Sequence, residues 1–252
     1  MKALITGASS GIGKDIAFSL AKRGYDLVLV ARDEEKLENC RNEIEEKFTV
    51  KVEKISVDIS SVENCKVLHK KITNVDLLVN NAGFGDCGNF TKTSLEKDLK
   101  MIDTNISAYH ILTKLYLADM KKEGSGKILN VASIAGFMPG PLMATYYATK
   151  AYVISLSESI REELNKEKSN VKISVLCPGP VKTNFSNIAN VKFNMKEVDS
   201  AEVAEYAIKK LNKNKFYIVP NLSIKLAKIG AKLAPTVLTG KISYMIQKRK
   251  IG

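Results

Sequence analysis

Apolar positions along the chain fall into two alternating kinds of segment. Short runs rich in Val, Ile and Leu occupy Ala3-Leu4-Ile5, Asp26 to Val30, Val50 to Val57, Leu77-Leu78-Val79, Ile128 to Val131 and Val171 to Leu176. Between them lie stretches such as Asp33 to Lys47, Glu96 to Lys122 and Tyr146 to Lys166, where apolar residues recur three or four positions apart. The first kind predicts strands and the second helices. Taken in turn they predict an α/β fold, a single-domain Rossmann-like, doubly wound parallel sheet with helices on both faces. The strands alternate little, as expected when both faces of a sheet are covered. In such a sheet ligands bind beyond the carboxyl ends of the strands, so the residues just after each run are the candidates for chemistry.

Composition narrows the class. The 252 residues suffice for one large domain, and no Pro/Gly/Ser-rich linker divides them. No apolar run approaches the roughly 18 residues of a membrane span, and the amino terminus does not read as a signal peptide, so a cytoplasmic location is expected. Cys40, Cys65, Cys87 and Cys177 form no CxxC pair, which favours idle reduced thiols over disulfide or zinc chemistry; no metal site is expected. The net charge is +12, but most of it is interspersed with acids on solvated helix faces, so nucleic acid is not an expected partner. Residues 221–252 depart from this pattern: they hold seven Lys/Arg and no acid, leaving +5 for residues 1–220.

Candidate chemistry begins after the first strand. Thr6-Gly7-Ala8-Ser9-Ser10-Gly11-Ile12-Gly13 leads into an amphipathic helix expected from Lys14 to Arg23. Glycines there permit a tight turn and close approach of a pyrophosphate, whose charge is stabilised by the free N–H groups of the helix start. Tyr146 and Lys150 stand four apart and project from one helix face. A nearby ammonium favours phenolate, and Tyr146 can then exchange a proton with a reacting oxygen. Tyr147 has no lysine four residues on. Ser133, which follows a strand, offers a hydroxyl either to a developing oxyanion or to a turn as its cap. Neither His69 nor His110 occupies a motif position.

The glycine spacing resembles the TGxxxGxG turn of the short-chain dehydrogenase/reductase family, and six further motifs recur in that family's order from Lys2 to about Val219. These are Asp58-Ile59, Asn80-Asn81-Ala82-Gly83, Asn105, Ser133, Tyr146-x-x-x-Lys150 and Pro178-Gly179. The resemblance implies an oxidoreductase that interconverts a carbonyl and an alcohol by hydride transfer, with Ser133, Tyr146, Lys150 and Asn105 as its catalytic group. It implies a cofactor held by Gly7, Ser9, Ser10, Gly11, Ile12 and Gly13 at the pyrophosphate. Asp58 and Ile59 would meet the adenine, with Asn81, Gly83, Tyr146 and Lys150 along the ribose, and Val181 and Thr183 at the nicotinamide carboxamide. Asn105 would hold a water on a proton path toward the lysine. Asp58 read as a helix cap and Asn80 read as a tie between strand ends are the plainer alternatives.

Cofactor choice turns on the end of the second strand, Val30-Ala31-Arg32-Asp33. The family's acidic position falls on Ala31, and Arg32 next to it suits the 2′-phosphate of NADP(H). A one-residue shift would bring Asp33 to the ribose and restore NAD. A run of Phe185, Ile188, Val191, Phe193 and Met195 lies where the family carries its variable substrate loop, and suggests a hydrophobic substrate under an apolar lid. Residues 1–220 are thus expected to form the dinucleotide-binding and catalytic domain, and residues 221–252 a basic amphipathic extension of it. In that extension Ile224, Leu226, Ile229, Leu233, Val237, Leu238, Ile242, Met245 and Ile246 stand among lysines, with Gly230, Pro235 and Gly240 interrupting the helix. Peripheral membrane contact and packing on the domain or on a partner subunit are both open for it. A homodimer or homotetramer follows from the family resemblance. The competing function is a non-catalytic NADP-binding redox sensor or membrane-surface scaffold; sugar-nucleotide epimerases, which share the tyrosine and lysine, need a longer chain.

Overall fold

A computed structural model describes residues 1–191, 197–220 and 236–248, except for the side chains of Thr236 and Leu238. Six strands lie at the apolar runs: β1 (Lys2–Thr6), β2 (Asp26–Ala31), β3 (Val52–Ser56), β4 (Leu77–Asn80), β5 (Lys127–Val131) and β6 (Lys172–Leu176). Two short strands, β7 (Val181–Lys182) and β8 (Val198–Asp199), pair with each other, and β9 (Tyr217–Ile218) joins the main sheet beside β6. The sheet order is β3-β2-β1-β4-β5-β6-β9, with all pairings parallel. The chain runs outward from β1 to β2 and β3 and then crosses back to β4 on the other side of β1, and this reversal opens a crevice at the carboxyl ends of β1 and β4.

The helices are α1 (Gly11–Ala21), α2 (Glu34–Lys47), α3 (Val62–Lys71), α4 (Leu95–Ile102), α5 (Ala108–Lys122), α6 (Ala144–Lys166), α7 (Phe185–Ile188), α8 (Ser200–Leu211) and α9 (Thr236–Lys248). Successive residues of β1 serve opposite faces, as the pleat dictates. Ala3 and Ile5 pack with Ile16 and Leu20 of α1, Leu37 and Ile44 of α2, and Val203 and Ile208 of α8. Leu4 packs with Leu68 of α3, Leu112 and Tyr116 of α5, and Leu164 of α6. Each of these large side chains is withdrawn from water and contributes about 1.5–3 kcal/mol, so the sheet is fixed from both sides and its strand ends form a rigid rim.

Three expectations need correction. The helix after the glycine turn begins at Gly11, not Lys14, because Lys14 N already donates to the Ser10 carbonyl at 3.3 Å and closes the first helical turn over Gly11 to Gly13. The stretch Glu96 to Lys122 is not one helix: α4 passes through a π-helical turn, Asp103–Ser107, before α5 begins. Such wide turns recur at functional sites, and here it seats the buried Asn105 amide against the backbone of Phe84. Gly240 does not interrupt its helix, since α9 runs through it; an interior glycine costs only about 1 kcal/mol relative to Ala, too little to end a helix that packs on the domain. Phe193, Met195, Ile224, Leu226, Ile229, Gly230, Leu233, Pro235 and the side chain of Leu238 lie outside the described residues.

Candidate active site

The rim after β1 is built around glycines. Gly7 and Gly11 have φ of +66° and +54°, a region L side chains enter only with strain. A Cβ on Gly7 would stand 2.8 Å from Ala82 Cα, and one on Gly13 would stand 2.2 Å from the Gly7 carbonyl oxygen. The turn is fastened to the end of β4. Thr6 Oγ1 accepts from the N–H of Asn81 at 2.9 Å and of Ala82 at 3.1 Å, while Asn81 Nδ2 donates to the carbonyls of Thr6 at 2.9 Å and Gly7 at 3.2 Å. Ser10 occupies the N-cap of α1 without a side-chain cap bond, which leaves the first-turn amides available to an anion.

From this turn a cavity of about 960 Å³ runs along the strand ends. Of the residues assigned to the site from sequence, all but Gly13 and Asn105 line it. Gly13 lies beneath the turn, against the Gly7 carbonyl. Asn105 lies behind the wall: its Nδ2 donates to Phe84 O at 2.9 Å and Thr149 Oγ1 at 3.1 Å, and its Oδ1 accepts from Phe84 N at 3.2 Å. Gly83 gives this amide room, since a Cβ there would meet Asn105 Oδ1 at 2.9 Å.

At one end stand Arg32, Asp58 and Ile59. Asp58 does not cap the helix that follows, because Ser61 does so. Its Oδ1 accepts from Ser60 N at 3.0 Å and Ser60 Oγ at 2.8 Å, and its Oδ2 lies 3.4 Å from Lys100 Nζ. Burial works to raise this carboxyl, but the bonds from Ser60 and Lys100 outweigh it and hold the group below its ordinary value. Asp33 is the N-cap of α2, accepting from Lys36 N at 3.0 Å and Lys36 Nζ at 2.6 Å. Asn80 is fully buried and donates to Thr113 Oγ1 at 3.0 Å and Asn130 Oδ1 at 2.9 Å, so it ties strand to strand and helix.

At the other end Ser133 accepts from Ala135 N at 3.1 Å, capping a 3₁₀ turn over Ile134–Phe137, and its hydroxyl stands near enough to the Tyr146 phenol to favour the phenolate. The turn-cap reading of this serine therefore holds, and its side chain also lines the cavity. Lys150 is buried under Tyr146. Its Nζ donates to the Val131 carbonyl at 2.9 Å and lies 5.4 Å from the ring of Tyr109 and 5.8 Å from that of Tyr146. Burial pushes its amine down to about 8. Burial also raises the Tyr146 phenol above its ordinary value; the Ser133 hydroxyl opposes that rise and Tyr147 adds to it. The Lys150 ammonium is turned toward the Val131 carbonyl, so burial sets the direction of the phenol's shift.

Phe185 and Ile188 of α7 line the same end, while Val191 is buried with Met143 and Ala189 beside it. Thr183 Oγ1 accepts from Phe185 N at 3.2 Å, and its methyl would meet a Cβ on Gly11 at 3.0 Å. Sequence reasoning missed Met143 and Tyr147, which complete this apolar wall with Tyr146 and Phe185. Their spacing was the available signal: positions 143, 146 and 147 share one helix face. His69 pairs with Asp119 at 2.6 Å and His110 with the Tyr152 hydroxyl at 2.7 Å, both away from the cavity.

A glycine turn into a helix, a crevice at the sheet's switch point and a Ser-Tyr-Lys group at its far end define a short-chain dehydrogenase, and the family model of that description matches residues 1–192. The chain belongs to the short-chain dehydrogenase/reductase family. It is an oxidoreductase of the CH–OH/C=O class that works with a nicotinamide dinucleotide. An uncharacterized oxidoreductase of Staphylococcus saprophyticus is 35% identical over 210 residues, covering 82% of this chain and 88% of that one. The 3-oxoacyl-[acyl-carrier-protein] reductase of Rickettsia prowazekii is 31% identical over 205 residues, covering 81% and 83%. A short-chain dehydrogenase from Sphingobium yanoikuyae, solved in complex with NADPH, superposes with a TM-score of 0.84 at 28% identity, covering 92% of this chain and 93% of that one.

Proposed function

We propose that the protein is an NADP(H)-dependent enzyme that interconverts a carbonyl and an alcohol on a hydrophobic small molecule. The observation that carries the reading is the convergence of Ser133 and Tyr146 on one cavity wall, with Lys150 buried one helical turn on.

The residues present fit a dinucleotide: a turn that any Cβ would fill, uncapped amides at a helix start, and a cleft of sufficient length. Gly7, Ser9, Ser10, Gly11 and Ile12 would hold its pyrophosphate, with Gly13 keeping the turn tight. Asp58 and Ile59 would meet the adenine, Asn81 and Gly83 the ribose, and Val181 and Thr183 the carboxamide. NADP(H) is favoured over NAD because Asp33 is occupied as the cap of α2, while the exposed Arg32 is free to approach a 2′-phosphate. When bound, the cofactor supplies the hydride. A phenol held above its ordinary range is protonated at neutral pH, so Tyr146 can give its proton as the carbonyl oxygen gains charge. Ser133 donates to that oxygen, and Lys150 holds a positive charge beside the ribose that favours the phenolate left behind. Asn105 positions the loop at Phe84 against this group, and a proton path toward Lys150 would pass beside it.

A hydrophobic substrate is supported by the wall of Met143, Tyr147, Phe185 and Ile188, and by the 3-oxoacyl substrate that the name of the Rickettsia reductase gives. A cytoplasmic location, a homo-oligomeric state and peripheral membrane contact through residues 221–252 belong to the same proposal, as does the assignment of those residues to a single domain with residues 1–220. The test is NADPH and NADH oxidation against a panel of apolar ketones, aldehydes, steroids and acyl thioesters. Turnover with NADPH on at least one of them is expected. Tight NADPH binding with no turnover on any would favour the redox sensor or scaffold instead.

A further inference from the structure

The helix α9 is inside out. Its inward positions are polar: Ser243 and Gln247 are 3% and 1% exposed, Gln247 Nε2 donates to the Tyr147 hydroxyl, and Ser243 lies beside it. Its outward positions are apolar: Val237 is 72% exposed, Ile242 43%, Tyr244 44%, Met245 58% and Ile246 46%. Ile242, Met245 and Ile246 stand at i, i+3 and i+4, which makes one continuous stripe, and the exposed Lys241 and Lys248 flank it. A surface helix ordinarily turns such a stripe to the core and its polar side to water. Here the domain takes the polar side, so the apolar stripe is left for a partner.

Charge selects that partner. Residues 221–252 carry seven Lys/Arg and no Asp/Glu. A second copy of the chain would bring the same basic segment against this one, and like charges facing each other oppose association. An anionic bilayer surface offers an apolar boundary for the stripe and negative headgroups for the lysines. We propose that α9 lies in the plane of a membrane containing anionic lipid, with Ile242, Met245 and Ile246 below the headgroups and Lys241 and Lys248 among them.

The placement has a consequence for substrate. The inner side of α9 holds Tyr147, whose ring lines the cleft with its centroid 6.2 Å from that of Tyr146. A bilayer on the outer side then lies about 10 Å away, one helix diameter. An apolar substrate dissolved in lipid reaches the cleft by crossing the edge of α9. This last step rests on the reading of the cleft as a carbonyl–alcohol site; the docking does not.

The chain has no tryptophan, so Met245→Trp places a single reporter on the stripe. Its emission is expected to shift to the blue when vesicles of phosphatidylcholine and phosphatidylglycerol are added, and to stay unchanged with phosphatidylcholine alone. In flotation the unmodified protein should rise with the anionic vesicles and be released by high salt. Lys241→Gln combined with Lys248→Gln should lower its partitioning about 30-fold. Met245→Asp combined with Ile246→Asp should abolish flotation with NADPH binding intact, a readout that separates failure of docking from failure of the functional reading. Unchanged Met245→Trp emission together with vesicle-independent recovery would overturn the proposal. So would a concentration-dependent dimer that Met245→Asp/Ile246→Asp dissociates in the absence of lipid, since the stripe would then belong to a second copy.

Discussion

Lys150 and Tyr146 stand one turn apart on α6, yet the lysine amine is committed to the Val131 carbonyl at 2.9 Å and lies 5.8 Å from the tyrosine ring. The two groups respond to the same burial in opposite senses, the phenol upward and the amine downward. Both shifts favour the neutral form, as desolvation requires. The site thus holds its proton donor fully protonated, and a cation that loses its charge not far above neutrality.

A pH dependence follows from the amine. Lys150 is pushed from 10.5 to about 8, so its charge is present below that pH and lost above it. For carbonyl reduction, kcat/KM should be level below about pH 8 and fall as pH rises through it, and the fall should be absent from the low residual activity of Lys150→Met. The stability sign is the reverse. A lysine with a lowered folded value carries its full burial cost below pH 8, and that cost is relieved between about 8 and 10.5. Relative to Lys150→Met, the unmodified protein should therefore gain stability on going from pH 7 to pH 9.5, by about 2 kcal/mol in denaturant unfolding.

Gly13→Ala should be far more damaging than its size suggests. The added Cβ would lie 2.2 Å from the Gly7 carbonyl oxygen and 2.4 Å from Asn81 Nδ2, both held by the bonds that fasten the turn. Loss of NADPH binding and a drop in Tm of about 5–10 °C are expected. Gly24→Ala is the control: at φ +77° it is strained, but nothing lies within 4 Å. It should cost about 1–2 kcal/mol and leave NADPH affinity unchanged.

Arg32→Ala should weaken NADPH binding about 10- to 100-fold, the worth of a charge-assisted hydrogen bond to phosphate, and change NADH binding little. Asp33→Ala should instead lower stability by about 1 kcal/mol through loss of the α2 cap. Titration of both cofactors by fluorescence separates the two effects. A preference for NADH in the unmodified protein would contradict the assignment of Arg32.

Asn105→Ala should act through structure as well as rate. It strands the N–H and C=O of Phe84 inside the wall behind the cavity, a cost of about 2–4 kcal/mol. Because Phe84 and Gly83 line the cleft, kcat should fall with it, and the fall should be larger than for a variant of equal stability in the distant core. Denaturant unfolding and steady-state kinetics on the same preparations check this.

The fold and most of the site were legible in the sequence because their signals are local. Buried runs such as Leu77-Leu78-Val79 announce strands, Gly7 to Gly13 announces a phosphate-type turn, and the interval from Ser133 to Tyr146 and Lys150 places three groups together. What was not legible depends on contacts between distant segments. β9 is two residues long and exists through pairing with β6. The π-helical turn at Asn105 follows from where Phe84 arrives, and Asn81 fastens the glycine turn only because β4 ends beside β1. The apolar spacing of α9 was visible, but which side of it meets the domain is decided by the Tyr147 hydroxyl, which takes Ser243 and Gln247 inward.

The central claim is that Tyr146 moves the proton, and the most direct measurement is single-turnover NADPH oxidation by Tyr146→Phe beside the unmodified protein on a substrate the latter accepts. Loss of at least about 10³-fold in rate, with NADPH affinity changed less than about threefold, is the predicted result. Oxidation at a near-normal rate by the phenylalanine variant would contradict the account.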